Sequence, residues 1–129
     1  MEGSLVSVID DDVSVRESLP DLLRMLGYAA EAFSSADEFL ASGSVGRTDC
    51  LLLDIAMPIM SGPDLQKKLT LKGHDIPIIY ITACEDATTR ARVLKSGAVE
   101  CLHKPFSDGA LLSALHAAFN RTRGRNCNN

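Results

Sequence analysis

Short runs of apolar residues rich in valine, isoleucine and leucine alternate along the chain with segments whose apolar residues recur every three or four positions. The first pattern is typical of buried strands and the second of amphipathic helices. The predicted strands are residues 5–9, 28–33, 50–53, 78–81 and 99–102. A helical pattern follows each strand, so the chain predicts an α/β fold with a doubly wound parallel sheet and helices on both faces.

Glycine and proline mark where several of these elements begin and end. Gly62 and Pro63 open the third helical pattern, where proline is tolerated in the first turn. Pro20 lies inside the first helical pattern and removes a backbone donor, which costs about 3 kcal/mol in a helix interior. We therefore expect a kink there, or a helix that restarts near Leu19.

The composition is that of one globular domain. Hydrophobic residues are 46% of the 129 residues and charged residues 23%, which supplies a core and argues against disorder. The formal net charge is −4, and the basic cluster is confined to Arg121, Arg123 and Arg125, so we expect neither nucleic-acid nor membrane binding by this domain. The domain should span residues 4–121, with residues 122–129 as a tail or the start of a linker.

Two further features bear on the compartment. The amino-terminal residues lack the basic and apolar regions of a signal peptide, and no apolar run is long enough to span a membrane, so we expect a cytoplasmic protein. The four cysteines show no C-x-x-C spacing, which argues against zinc and for reduced, mostly buried thiols.

Polar and charged residues stand at the ends of four predicted strands. In chain order they are Asp10, Asp11, Asp12, Asp54, Thr82 and Lys104. The carboxyl ends of parallel strands form the ligand-binding rim of such sheets, so we expect these side chains to meet. Carboxylates about 5 Å apart repel by roughly 3 kcal/mol per pair at an effective dielectric constant of about 20. Mg²⁺ would offset that repulsion and accept phosphate oxygens, and an aspartate can act as a nucleophile toward phosphorus.

The ordered set of motifs resembles the receiver domain (CheY-like) of bacterial two-component response regulators. The motifs are Asp10-Asp11, Asp54 with Met57-Pro58-x-Met60-Ser61-Gly62, Ile81-Thr82-Ala83 and Lys104-Pro105-Phe106. The resemblance covers about residues 4–121. It implies a flavodoxin-like sheet of five parallel strands in the order 2-1-3-4-5, with five helices.

The resemblance also implies a role for each residue at the rim. Asp54 would accept a phosphoryl group from the histidine of a sensor kinase. Asp11, Asp54 and the backbone carbonyl of Ala56 would ligate Mg²⁺, with Asp10 acting through a metal-bound water. Lys104 would pair with Asp54 and then with the phosphoryl oxygens, aimed by a cis peptide before its proline. For Asp12 we expect capping of the first helix or solvation in preference to direct metal binding.

Signal output is implied in the same way. Thr82 would move toward the phosphoryl group and change the face formed by the fourth helix, fifth strand and fifth helix. The motifs look most like receivers that precede a helix-turn-helix DNA-binding domain, which implies transcription regulation by an effector domain in the full-length protein. Whether the domain also forms a dimer on phosphorylation is left open by the sequence.

Two departures from the family pattern concern signalling. Cys101 stands where many receivers have a tyrosine or phenylalanine that rotates inward on activation, so coupling through an aromatic side chain is in doubt. Ala56 and Cys84 occupy positions that tune the lifetime of the phosphoryl group, and both are small, so the sequence does not predict that lifetime.

Two other functions fit parts of the pattern. Asp10-x-Asp12-Val13, with Thr82 and Lys104, resembles a haloacid-dehalogenase-like phosphatase, but the acidic pair that should follow the lysine is reduced to Asp108, and these 129 residues leave no room for a cap. A receiver fold that only binds partners, without phosphorylation, is the other alternative. Such degenerate receivers usually lose the phosphoacceptor or the lysine, and this chain has both.

Overall fold

The structure, a computed structural model, describes residues 4–83 and 86–127. Strands and helices alternate along the chain. Their bounds are β1 Leu5–Ile9, α1 Val13–Met25, β2 Ala29–Phe33, α2 Ala36–Ala41, β3 Cys50–Asp54, α3 Gly62–Leu71, β4 Ile78–Thr82, α4 Ala87–Lys95, β5 Glu100–His103 and α5 Asp108–Cys127. All four strand pairs are parallel, and the sheet order is β2-β1-β3-β4-β5. The predicted fold class is confirmed.

The sheet separates two hydrophobic cores. Side chains alternate across each strand, so Val8 and Leu52 face one core, where α1 and α5 pack through residues such as Leu23 and Leu115. The other face carries the second core, shared with α2, α3 and α4. All five residues of β1, β3 and β4 are buried, because helices cover both faces of the sheet.

The strand ends differ slightly from the sequence prediction. The sequence predicted that Asp54 and Thr82 would directly follow β3 and β4, but they are the last residues of these strands. Backbone hydrogen bonds of the sheet therefore hold both residues. A short 3₁₀ helix, Val45–Arg47, lies in the predicted loop before β3.

The first and last helices also differ from expectation. Helix α1 runs through Pro20 as one helix, so the restart near Leu19 is wrong, while a kink stays a prediction. Pro20 is buried, and packing of this face offsets the lost backbone donor. Helix α5 continues past residue 121 to Cys127, and the predicted domain end at residue 121 is untested. None of the helices in the described ranges is long and apolar enough to cross a membrane.

Candidate metal centre

The turn between β1 and α1 places the first acidic residues. Asp10 is fully buried, and its backbone N–H donates to Phe33 O at 3.1 Å, which continues the β1–β2 pairing by one residue. Its Oδ1 accepts from the Asp12 N–H at 2.9 Å. Asp12 is the N-cap of α1 as predicted, since its Oδ1 accepts from the Ser14 N–H at 3.0 Å and from the Ser14 hydroxyl at 2.8 Å. These two bonds lower the pKa of Asp12.

Three of the predicted ligands form one cluster. Oxygen atoms of Asp10, Asp11 and Asp54 all lie within 4.8 Å of one another. Asp10 and Asp54 are buried, with 0% and 6% exposure, whereas Asp11 is exposed. The cluster is therefore buried on the side of Asp10 and Asp54 and accessible to solvent at Asp11. A site that binds a cation and a phosphate requires such an opening.

Ionisation of Asp54, the phosphoacceptor candidate, is unfavourable in this site. Burial, and after it the negative charge of Asp10, raise the pKa of Asp54 to about 7, although the ammonium of Lys104 lowers it. One lysine thus does not neutralise the carboxylates at this rim. A hard divalent cation would supply the missing positive charge.

Lys104 pairs with a different carboxylate from the one expected. Its Nζ lies 2.7 Å from Asp10 Oδ2, so the predicted ion pair with Asp54 is wrong for this structure. The ammonium is thus the charged partner of this buried oxygen. The ammonium acts on Asp54 only as a nearby positive charge. The Lys104–Pro105 peptide is cis, as the resemblance implied.

The β4 and β5 ends bring the remaining candidates to the same rim. Thr82 is buried at the end of β4, beside Asp54 in the neighbouring strand, and its carbonyl accepts from the Lys104 N–H at 2.8 Å. Ala56 is exposed two residues beyond Asp54. Its carbonyl as a ligand stays a prediction. Cys84, the second position predicted to tune the phosphoryl lifetime, lies outside the described residues.

The loop after β3 is held against the phosphoacceptor candidate by a glycine. A Cβ atom at Gly62 would stand 2.6 Å from Asp54 O and 2.8 Å from the Tyr80 ring. The sequence pattern identified Gly62 only as the start of a helix, which it is, but the tight approach is the stronger reason for glycine here. In the same loop Ile59 has a φ of 72° and is 96% exposed, an unusual combination for a β-branched residue.

An aromatic ring stands beside the cysteine that departs from the family pattern. Cys101 is buried in β5, paired in register with Tyr80 of β4, which is fully buried. The Tyr80 hydroxyl donates to Gln66 Oε1 at 2.5 Å, and Gln66 Nε2 donates to Ser96 O at 3.2 Å. This connection from β4 through α3 to the end of α4 was missed, because Tyr80 reads simply as one residue of an apolar strand.

Sequence reasoning also missed a basic residue beside the acidic turn. The Nη1 of Arg16 in α1 donates to the backbone carbonyl of Asp10 at 2.9 Å. Its position six residues after Asp10 carries no pattern that indicates this contact. The one feature of the sequence that could have indicated this contact is the length of the arginine side chain, which can reach back over the first turn of α1.

Comparison with known proteins agrees with this geometry. A family model described as the response regulator receiver domain matches residues 6–116. Nodulation protein W of Bradyrhizobium diazoefficiens is 44% identical over 122 residues, which are 95% of this chain and 54% of that protein. Response regulator protein TodT of Pseudomonas putida is 42% identical over 90% of this chain and 51% of that protein. The chain therefore spans about half the length of these relatives.

Solved structures match over nearly the whole chain. Response regulator StyR has a TM-score of 0.82 and 42% identity, covering 98% of this chain and 66% of that chain. FixJ-N has a TM-score of 0.81 and 35% identity, covering 92% and 94%. With the fold, the acidic cluster and the family match together, the chain belongs to the response regulator receiver domains, which are signalling switches of two-component systems.

Proposed function

We propose that this domain is a phosphoacceptor switch in which Asp54 takes a phosphoryl group from a sensor histidine kinase in the presence of Mg²⁺. The observation that carries the proposal is the cluster of Asp10, Asp11 and Asp54 within 4.8 Å, with the Lys104 ammonium at the same rim. Phosphoryl transfer requires a nucleophile, a divalent cation and a fixed positive charge in this arrangement.

Each residue has a role in the proposed reaction. Asp11, Asp54 and the Ala56 carbonyl would hold the cation, with Asp10 bound through water. Mg²⁺, when bound, neutralises charge on the carboxylates and on the phosphoryl oxygens. A carboxylate oxygen of Asp54 attacks phosphorus, and the new O–P bond forms as the P–N bond to the kinase histidine breaks. The imidazole leaves with the electron pair of that bond.

The change of charge supplies the signal. Phosphorylation converts the single charge of Asp54 to about −2 and adds strong acceptors. Lys104 turns from Asp10 to these oxygens, and the Thr82 hydroxyl donates a charge-assisted hydrogen bond to one of them. Because Thr82 ends β4 next to β5, its displacement bears on the face formed by α4, β5 and α5.

The output is proposed from the kind of relative that matches. Several relatives are named as transcriptional regulatory proteins, among them FixJ of Azorhizobium caulinodans and TdiR of Thauera aromatica. We therefore propose that the domain regulates transcription through a DNA-binding effector domain in a longer protein. A sensor histidine kinase as the partner and the cytoplasmic location stay predictions from the sequence.

Intact mass spectrometry after incubation with acetyl phosphate tests the proposal. We expect a gain of one phosphoryl group that requires Mg²⁺ and is lost in Asp54→Asn. Asp37→Asn is the matched control, because Asp37 is an exposed aspartate in the first turn of α2 and should leave phosphorylation unchanged.

Two other results would point to the alternatives. A folded protein that binds Mg²⁺ but gains no mass would favour an interaction module that works without phosphorylation. Continuous hydrolysis of a stable phosphate ester such as para-nitrophenyl phosphate, undiminished in Asp54→Asn, would favour the phosphatase reading.

A further inference from the structure

The peptide that joins Asp10 to Asp11 is held by a side chain from the following helix. Arg16 is half-buried on α1, and its Nη1 donates to Asp10 O at 2.9 Å. The β1–β3 register ends at Ile9 opposite Leu53, so this carbonyl lies beyond the ladder that would otherwise pair it. The guanidinium therefore supplies the hydrogen-bond donor that a neighbouring strand would otherwise supply, at the point where the acidic turn begins.

Asp10 has independent restraints, whereas Asp11 depends on this peptide. The Asp10 N–H donates to Phe33 O, and its Oδ1 accepts from the Asp12 N–H, so Asp10 is fixed without Arg16. Asp11 is exposed, so packing does not fix its side chain. Because a peptide unit is planar, fixing the direction of the Asp10 carbonyl also fixes the direction in which the chain enters Asp11.

We propose that Arg16 is a positioning residue for the divalent cation site: its hydrogen bond to Asp10 O sets the Asp10–Asp11 peptide and so aims the Asp11 carboxylate at the cation. The inference rests on the proposed function, since it presupposes that the cluster of Asp10, Asp11 and Asp54 binds Mg²⁺. Residues that orient metal ligands in this way typically contribute about 10- to 100-fold to metal affinity.

The positive charge of Arg16 acts in the opposite direction, which makes the two roles separable. A guanidinium close to a cation site repels the cation, so charge alone predicts tighter Mg²⁺ binding when Arg16 is removed. Positioning predicts weaker binding. The sign of the change in Mg²⁺ affinity therefore distinguishes the two roles before any magnitude is considered.

The test measures the Mg²⁺ dissociation constant by isothermal titration calorimetry in wild type, Arg16→Met and Arg16→Lys. We expect Arg16→Met, which keeps the apolar stem but has no donor, to bind Mg²⁺ about tenfold more weakly. Arg16→Lys keeps a donor of similar reach and should recover most of the affinity. With Mg²⁺ at saturation, phosphorylation of Arg16→Met by acetyl phosphate should return to the wild-type rate.

Arg24→Met is the matched control on the same helix. Arg24 also donates to a backbone carbonyl, from Nη2 to Ala30 O at 2.9 Å, but it lies at the end of α1 away from the acidic turn. We expect this variant to lose a similar amount of thermal stability without Mg²⁺ and to bind Mg²⁺ as wild type does. If Arg16→Met does not fold, Arg16→Gln replaces it, since its side chain is too short to reach the same carbonyl.

The outcomes separate the inference from the proposed function. Wild type that does not bind Mg²⁺ overturns both. Wild type that binds Mg²⁺, with Arg16→Met binding equally or more tightly, overturns the positioning role alone and leaves the phosphoacceptor proposal intact. Weaker binding in Arg24→Met to the same degree would also overturn it, because the effect would then belong to α1 as a whole.

Discussion

Replacing the phosphoacceptor candidate should stabilise the domain when no metal is present. In Asp54→Asn the shape of the side chain is kept and its charge is removed. Burial and the neighbouring Asp10 raise the pKa of Asp54 from 3.8 to about 7, so ionising this group in the folded state is unfavourable. The neutral amide is spared that cost.

The size of the effect follows from the pKa. A difference of about three pKa units at about 1.36 kcal/mol each corresponds to roughly 4 kcal/mol once Asp54 is ionised in both states. Water penetration and relaxation around a residue at the rim reduce this, so we expect Asp54→Asn to gain about 2 to 4 kcal/mol above pH ~7.

The dependence on pH has a definite sign. The folded-state pKa is raised, so the folded protein holds this proton more tightly than the unfolded chain does. Wild-type stability is therefore lost as the pH rises from about 4 to about 7 and levels off above that range. Asp54→Asn lacks this contribution, so the difference between the two proteins should be near zero at pH ~4 and full at pH ~8.

Urea denaturation in EDTA at both pH values measures the difference, with Asp37→Asn as an exposed control that should stay close to wild type at each. Adding Mg²⁺ should stabilise wild type by an amount that rises with the logarithm of the Mg²⁺ concentration above Kd, and should stabilise Asp54→Asn much less. If Asp54→Asn were no more stable than wild type in EDTA at the higher pH, the assigned cost of ionising Asp54 beside Asp10 in a buried site would be refuted.

Two further substitutions test the loop after β3. Gly62→Ala should destabilise the domain by about 1 to 3 kcal/mol and slow phosphorylation, because its Cβ would stand 2.6 Å from Asp54 O, whereas Gly46→Ala meets nothing within 4 Å and should be near neutral. Equal effects of the two on urea denaturation would contradict the tight approach. Ile59→Asn should stabilise by about 1 kcal/mol, since asparagine adopts positive φ more readily than isoleucine does and the side chain it replaces is 96% exposed. A loss of stability in the same assay would mean that the Ile59 side chain is packed.

The sequence predicted the strands and helices better than the side-chain contacts between them. Apolar runs and their spacing fixed the five strands and their direction, because every buried strand must pair and every helix must cover a face. The same reasoning brought Asp11, Asp54 and Thr82 to one rim. Those placements depend only on where strands end, and strand ends follow from the hydrophobic pattern.

The finer features depend on side-chain geometry that no pattern encodes. Whether Lys104 contacts Asp10 or Asp54 is decided by the path of one loop over a short distance, so the sequence could not distinguish them. Arg16 bonds a backbone carbonyl, and backbone groups carry no residue-specific signal. The helix through Pro20 persists because tertiary packing outweighs local propensity, which is measured one residue at a time.

The link from Tyr80 through Gln66 to Ser96 has a consequence for which part of the domain opens most easily. Of the nine residues of α4, all of which the structure describes, Val93 alone is buried, so little apolar area holds this helix to the sheet. Burial of one such side chain contributes only about 1.5 to 3 kcal/mol. Local unfolding of α4 therefore requires far less free energy than global unfolding, and its backbone amides exchange with solvent long before those of β3 or β4. Opening of α4 must also break the hydrogen bond from the Gln66 amide to Ser96 O, together with those from Arg90 to Cys101 O and Glu100.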